Sequence, residues 1–252
     1  MDQTLAGRVA LVTGSSRRIG RSIALALAAR GAAVVINARV DKTGADEVVA
    51  EARRRGGRAD SCMADITSPD EAKRLIEFAV EKFGGLDILV NNAAVRRAVK
   101  FSDMTFQEWR EIFAIVLDGA FLCSHAAHRH LAKNGHGRII NIGGITTHTG
   151  ARDRAHVTAA KAGMVGLTKS LALDLAADGT TVNCVAPGAI EAEDDDANLT
   201  QARRSSRPLS SIPLGRAGAP QDVAALVAAL CGDEMAYITG QTLHVNGGVF
   251  MS

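Results

Sequence analysis

Several features are missing from this sequence, and each absence narrows what the protein does. The four cysteines (Cys62, Cys123, Cys184 and Cys231) are scattered, with no CxxC pair and no His/Cys cluster at metal-ligand spacing. We therefore expect free thiols in a reducing compartment and no metal site. No apolar run reaches about 18 residues, and the amino end lacks the charged and apolar regions of a secretory signal. These absences favour a soluble cytoplasmic protein.

A strong charge bias is missing as well. The 29 Lys and Arg residues nearly balance the 27 Asp and Glu residues, which leaves a formal net charge of +2. The one dense basic run, at 53–55, fits the solvated end of a helix better than a nucleic-acid surface. We expect no nucleic-acid partner and no membrane partner, but a small-molecule substrate.

Short apolar runs alternate with helical patterns along all 252 residues. Runs of strand length lie at 8–14, 32–37, 59–66, 86–92, 137–144, 180–188 and 241–248. Helical spacing of apolar residues separates these runs, with long helices predicted over about 105–132 and 154–177. The alternation predicts an α/β fold in one domain, residues 1–252, built as a doubly wound parallel sheet of about seven strands. Ligands of such sheets bind at the carboxyl ends of the strands.

One irregular segment, at about 190–213, follows a predicted strand and is first acidic and then basic. Its place after the carboxyl end of a strand favours a substrate flap over the ligand crevice. A solvated surface insertion is the alternative.

A glycine-rich turn, VTGSSRRIG at 12–20, joins the first strand to the first helix. Gly14 permits the tight turn, Gly20 allows helix and strand to pack closely, and backbone N–H groups at the helix start can hold a pyrophosphate. The turn is followed in order by NNAA, VTAAK, APGAI and VNGG, ending at residue 248. With these motifs the sequence resembles the short-chain dehydrogenase/reductase superfamily over essentially its whole length, which implies a Rossmann-like fold.

The resemblance implies that a dinucleotide contacts the loop and the neighbouring strand ends. In the family's loop a glycine usually stands where this chain has Arg18, and an arginine there resembles the loop of pteridine reductases. Arg18 then lies along the pyrophosphate, at the mouth of the site, or simply on the surface. The implied cofactor-binding residues are Gly14, Ser16, Arg17, Arg18, Ile19, Gly20, Asn37, Arg39, Ala64, Asp65 (at the adenine), Ile66, Asn92, Ala93, Ala94, Lys161, Pro187, Gly188 and Ile190.

The end of the second strand indicates which dinucleotide binds. NAD-binding domains place an acid there for the ribose 2′-hydroxyl, whereas NADP-binding domains need cations for the 2′-phosphate. By alignment with the family, Ala38 stands in the place of the acid, and Arg39 follows it. Arg39 and Arg17 can share the phosphate in charge-assisted hydrogen bonds. We expect NADP(H); two solvated arginines are the alternative.

The catalytic end departs further from the family it resembles. The family uses a tyrosine as acid/base, a lysine four residues later, a serine on the preceding strand and an asparagine in the long helix. Only Lys161 remains; Val157, Gly144 and Val116 stand at the other three positions. Ala192 also replaces a threonine that often contacts the nicotinamide carboxamide. Carbonyl reduction with the usual proton donor is therefore excluded.

Substitutes for the lost groups lie nearby in the sequence. Lys161, His148 and Asp153 are the catalytic candidates, since Asp153 shares the face of Lys161 at i, i+8 if the helix begins early enough. His156 adjoins Val157 but points elsewhere on the helix, as at a helix–helix interface. Each candidate has a structural alternative: Asp153 could cap the helix, His148 could lie on the surface, and Arg96 could lie at an interface. The candidate substrate contacts are Arg96, Gly144, Thr146, Arg152 and Val157.

These observations favour an NADP(H)-dependent oxidoreductase with atypical catalysis on an anionic, iminium, enone or carbonyl substrate. The alternative is a catalytically silent NADP(H)-binding sensor or partner subunit; a lyase or isomerase that uses a bound nucleotide is a third possibility. The resemblance also implies a homotetramer, or else a homodimer, paired through the helices at 105–132 and 154–177.

Overall fold

The fold has seven short strands, of which the five central ones are fully buried and the two edge strands are partly exposed. In the computed structural model, which describes residues 3–95, 97–192 and 209–251, they are β1 (Val9–Val12), β2 (Ala33–Ala38), β3 (Arg58–Met63), β4 (Ile88–Asn91), β5 (Arg138–Ile142), β6 (Thr181–Pro187) and β7 (Thr242–Val245). All pairs are parallel, in the order β3-β2-β1-β4-β5-β6-β7. The predicted seven-stranded parallel α/β sheet is thereby confirmed.

Helices cover both faces of this sheet. They are α1 (Arg18–Ala29), α2 (Lys42–Arg54), α3 (Pro69–Phe83), α4 (Phe106–Phe113), α5 (Gly119–Leu131), α6 (Thr146–Thr149), α7 (Ala155–Asp174) and α8 (Pro220–Leu230). The five central strands are mostly apolar on both faces because each face packs against helices. In β1, for example, Ala10 and Val12 join the core beside α1 and α8, whereas Val9 and Leu11 join the core beside α3 and α5.

Local sequence explains where several helices begin and end. Ser68 caps α3 by accepting a hydrogen bond from the Glu71 N–H, Pro69 occupies the first helical position, and Gly84 ends the helix at a φ of +90°. Thr105 and Glu108 form a reciprocal capping box at the start of α4.

Two of the observed helices differ in detail from the ranges predicted for them. The helix expected over 105–132 is α4 and α5 joined by one π-helical turn at Ala114–Asp118. The helix expected over 154–177 is α7, which begins at Ala155 and ends at Asp174. The predicted flap at about 190–213 has its central residues, 193–208, outside the described part of the chain.

The amino ends of the strands form the edge of the sheet opposite the candidate site. Arg8 and Arg138 are buried there, and both contact the carboxylate of Asp233. Arg8 also donates a hydrogen bond to the Cys231 carbonyl at 3.0 Å. Within the described residues, no helix has the length and apolar character needed to cross a membrane.

Candidate active site

The glycine loop fits tightly against the segment that follows β4. Gly14 has a φ of +59°, and a Cβ added there would lie 2.9 Å from the Ala93 Cα. A Cβ on Gly20 would lie 2.4 Å from the Gly14 carbonyl oxygen and 2.5 Å from the Asn92 side-chain nitrogen. Any larger residue would push the loop off its support, so both positions require glycine.

Two asparagines predicted to contact the cofactor make hydrogen bonds that hold the loop in shape. The Asn92 side chain donates to the carbonyls of Thr13 and Gly14 at 2.9 and 2.8 Å. The buried Asn37 accepts from the Gly14 N–H at 3.2 Å and donates to the carbonyls of Cys62 and Ala64. These bonds tie the loop to the segments that follow β3 and β4.

The first turn of α1 places its arginines differently. Arg17 is exposed at the N-cap in extended backbone, with a φ of −154°. Arg18 is half-buried and has a left-handed backbone with a φ of +53°. Ile19 is 8% exposed and belongs to the core. The start of α1 thus places backbone N–H groups and the exposed Arg17 at the carboxyl end of β1, where an anion is stabilised.

Arg39, directly after β2, meets Asp65, which follows β3. Arg39 Nη1 lies 3.7 Å from Asp65 Oδ2, and 57% of the Arg39 side chain is exposed. Burial opposes ionisation of Asp65, but hydrogen bonds from Thr67 and the charge of Arg39 hold its pKa below the usual value. Ala38 leaves no acid at the end of β2, so Arg39 is the charged group available there to a ligand.

Lys161 stands at the other end of the crevice. From α7 its ammonium donates to the carbonyls of Ile142 and Gly143, at 3.2 and 2.5 Å, where β5 ends. Gly144 follows directly, and a Cβ added to it would meet the Lys161 Cδ at 3.5 Å and Nζ at 4.0 Å. A Cβ would fit at Gly144 without a clash, so the glycine leaves open space beside the ammonium.

Val157 and Val116 pack together instead of carrying polar groups. Val116 lies in the π turn between α4 and α5, and Val157 lies four residues before Lys161 on α7. Both are buried, 3% and 8% exposed, in one apolar cluster with Ile112, Ala120, Ala160 and Met164. This wall of the crevice offers no proton donor.

His148, predicted as a catalytic candidate, is exposed on α6 and contacts two residues that the sequence did not indicate. Its ring lies 4.8 Å from the His244 ring, edge to face, and 4.9 Å from the Phe250 ring, stacked. Burial, and secondarily His148, lower the pKa of His244. No local pattern could have revealed this cluster, because its members come from α6, from β7 and from the carboxyl-terminal segment.

The helical alignment of Asp153 with Lys161 was wrong. Asp153 is exposed and has a φ of +58°, two residues before α7 begins, so it does not share the helical face of Lys161. Its carbonyl accepts a hydrogen bond from the Val99 N–H at 2.8 Å instead. Arg152 is exposed beside it, and Arg96 lies outside the described residues.

The carboxyl ends of β6 and β7 complete the crevice. A Cβ on Gly188 would lie 2.8 Å from Asn246, so the two strand ends nearly touch. Pro187 accepts a hydrogen bond from the Ile145 N–H, which fixes the start of α6, and Ile190 is 7% exposed beside Gly218. A cleft of about 470 Å³ opens beside β7; its lining includes Ile212, Pro213, Leu214, His244, Asn246 and Gly248.

Comparison with known proteins places the whole chain in one group. Residues 14–250 match the family described as Enoyl-(Acyl carrier protein) reductase. The chain is 42% identical over 248 residues to a 3-oxoacyl-[acyl-carrier-protein] reductase of Synechocystis, with 98% of each chain covered. It is 43% identical over 245 residues to the enzyme of that name in Escherichia coli K12, covering 97% of this chain and 98% of the relative. A crystal structure of a dehydrogenase/reductase from Sinorhizobium meliloti 1021 superposes with a TM-score of 0.92 at 37% identity, covering 99% and 98% of the two chains.

Proposed function

Because the chain belongs to the short-chain dehydrogenase/reductase superfamily of oxidoreductases, we propose that it is an NADP(H)-dependent reductase with atypical acid/base groups. The exposed Arg39 at the end of β2, where Ala38 removes the acid that an NAD site needs, is the observation that carries the choice of cofactor. The names of the relatives make a 3-oxoacyl thioester the first substrate to try.

The residues present fit a dinucleotide. The loop around Gly14 and Gly20 is a cradle that a Cβ would fill, and close approach of a pyrophosphate to the backbone has the same requirement. Arg17 and Arg39 would hold the 2′-phosphate, and Lys161 would hold the nicotinamide ribose. When bound, NADPH supplies a hydride; the chain supplies orientation and charge.

The proton that the substrate gains on reduction must come from a source other than the tyrosine that the family uses. Val157, Gly144 and Val116, at the positions of the family's tyrosine, serine and asparagine, carry no exchangeable proton on their side chains. We therefore propose that the substrate either takes its proton from water, as a carbonyl or an enone can, or arrives protonated, as an iminium ion does. The ammonium of Lys161 and the exposed Arg152 favour a substrate with an anionic group. His148 is a further candidate donor for an enone.

One observation favours a second function, that of a silent NADP(H)-binding sensor or partner subunit. Val116 and Val157 fill one apolar cluster, so two members of the family's proton relay are replaced by packing rather than by other polar groups. In either function we propose one domain with a substrate flap at about 190–213, assembled as a homotetramer or homodimer.

Calorimetric titration of the purified protein with NADPH and NADH tests the proposal. We expect tight binding of NADPH and weak binding of NADH. Arg39→Ala should weaken NADPH binding by roughly 10- to 100-fold, since a hydrogen bond to a charged group contributes about 1.5–3 kcal/mol. NADH binding should change little, because NADH lacks the 2′-phosphate.

The matched control is Arg55→Ala, which removes an arginine at the far end of α2, where it pairs with Glu51. It should bind NADPH like the wild type. If neither dinucleotide binds, both functions are wrong. If NADPH binds but no carbonyl, enone or iminium substrate consumes it, the sensor is the correct function.

A further inference from the structure

The open space at Gly144 has a second neighbour besides Lys161. The point where a Cβ of residue 144 would stand lies 4.0 Å from the Lys161 ammonium nitrogen and 3.9 Å from the hydroxyl oxygen of Thr146. We call this space, bounded by Gly144, Thr146 and Lys161, the glycine niche. One hydroxyl and one cation thus border a space in which a serine side chain would otherwise lie.

The Thr146 hydroxyl differs from those of the other threonines of α6. Thr147 donates its hydroxyl hydrogen bond to the Gly144 carbonyl at 2.9 Å, and the single hydroxyl proton of Thr149 is shared between the carbonyls of Gly150 at 3.1 Å and Ile145 at 3.4 Å. Both hydroxyls therefore serve to close the turn. The Thr146 hydroxyl makes no such bond to a residue in the described ranges, and its residue is half-buried at the start of the helix. It is the α6 hydroxyl left for a substrate.

The backbone that carries this hydroxyl is held at both ends of α6. The Ile145 N–H donates to the Pro187 carbonyl at 3.0 Å, and the Gly150 N–H donates to the Thr146 carbonyl at 2.9 Å. The first bond ties the start of α6 to the end of β6, and the second closes its single turn. A donor on a backbone held in this way needs less reorganisation to stabilise developing charge.

On the basis of the proposed reductase function, we propose that the Thr146 hydroxyl binds the reacting carbonyl oxygen of the substrate in the glycine niche, in place of the missing serine. As the carbonyl carbon accepts a hydride, the electron pair of the C=O π bond moves to the oxygen, which takes its proton from water. Thr146 donates a hydrogen bond to that oxygen throughout and keeps its own proton.

The charge of Lys161 selects among the substrates left open above. An oxygen that gains negative charge is stabilised near an ammonium, whereas an iminium ion is repelled by it. The niche therefore favours a ketone, such as that of a 3-oxoacyl thioester, over a C=N substrate. Val157 and Val116 belong to an apolar cluster, whereas the Thr146 hydroxyl and the Lys161 ammonium both lie within 4.0 Å of the point where a Cβ of residue 144 would stand.

The test compares Thr146→Val, which has nearly the same shape but no hydroxyl, with wild type on acetoacetyl-coenzyme A and NADPH. Removing a preorganised donor of this type lowers kcat by roughly 100-fold or more. We expect a loss of about this size in kcat/KM, with the affinity for NADPH, measured by calorimetry, unchanged. Thr146→Ser should keep activity within a few-fold of wild type, and Thr149→Val should behave like wild type.

A second-site variant separates the hydroxyl from the fold. In Thr146→Val/Gly144→Ser a serine hydroxyl returns to the same niche, where a Cβ fits without a clash, and activity should recover at least about tenfold. Three outcomes would overturn the role of Thr146. Thr146→Val could be as active as wild type, or Thr149→Val could lose as much activity as Thr146→Val. The wild type could also turn over iminium substrates and no ketone. A wild type that binds NADPH and reduces nothing would overturn the reductase function itself, and the role of Thr146 with it.

Discussion

At the scale of single residues, Arg18 combines an unusual backbone with a functional position. Its φ of +53° lies in the left-handed region, which costs a residue with a Cβ roughly 1–2 kcal/mol. This is also the loop position at which the family it resembles usually has glycine. An arginine here therefore accepts backbone strain that a glycine would avoid.

Comparing Arg18→Ala with Arg18→Gly isolates this strain, because both variants remove the guanidinium and only alanine keeps the Cβ. We expect Arg18→Gly to have the higher free energy of unfolding, by about 1 kcal/mol, in urea denaturation. Both should bind NADPH more weakly than wild type if the guanidinium faces the cofactor. An alanine variant as stable as the glycine variant would show that the backbone at this position is not strained.

At the scale of elements, the sequence was sufficient for the order and type of the strands and main helices, because apolar periodicity and glycine stops are local signals. It was insufficient where a backbone irregularity depends on packing. The π turn at Ala114–Asp118 leaves no signature in the helical pattern of 105–132, and the left-handed Asp153 delays the start of α7 to Ala155. Because α7 begins only at Ala155, Asp153 does not lie on the helical face of Lys161.

The packing of α4 against α7 buries His156, whose ring nitrogens have no hydrogen-bond partner among the described residues. Burial lowers its pKa below the ordinary 6.5, Arg97 and Arg154 add to the effect, and Glu108 opposes it. Below about pH 6.5 His156 is therefore protonated in the unfolded chain but stays neutral to lower pH in the folded chain. The free energy of unfolding consequently falls as the pH falls.

The variant His156→Leu should lose this acid sensitivity. Between about pH 7.5 and about pH 5.5, its free energy of unfolding should fall less than that of wild type, as measured by urea denaturation at each pH. The control His130→Leu, near the end of α5 and away from this contact, should keep the wild-type dependence. An unchanged dependence in His156→Leu would assign the acid sensitivity to other groups, such as His244.

At the scale of the whole molecule, the candidate site joins segments that lie far apart in the chain. Features within one segment could be predicted from the sequence, whereas contacts between segments could not. The loop of Gly14, the position of Arg39 and the place of Lys161 followed from motifs. The pairing of Arg39 with Asp65 and the rings of His148, His244 and Phe250 did not, since these contacts arise only when separate strand ends meet. The hydroxyl of Thr146 was named as a substrate contact, but its relation to Gly144 required the geometry.

Assembly is a property of the whole molecule that the outer faces of α5 and α7 allow us to test. Phe121 is 49% exposed, and it lines a cleft of about 220 Å³ with residues of both helices, among them His125, His128 and Leu171. Apolar surface of this kind is typical of contacts between subunits. Phe121→Arg should reduce the assembly to a smaller species in sedimentation velocity, whereas Phe101→Arg, at an equally apolar residue that is 79% exposed in wild type, should not.

The burial of the four thiols has a kinetic consequence. Burial raises the pKa of Cys184 to about 11 and that of Cys231 to about 12, and only the thiolate reacts with alkylating reagents. Alkylation of the native chain thus requires local or global opening. Cys184 lies under Gly143 at the reaction end, and Cys231 lies under Arg8 at the opposite edge. The two alkylation rates, resolved by mass spectrometry, therefore report separately how often each end of the sheet opens.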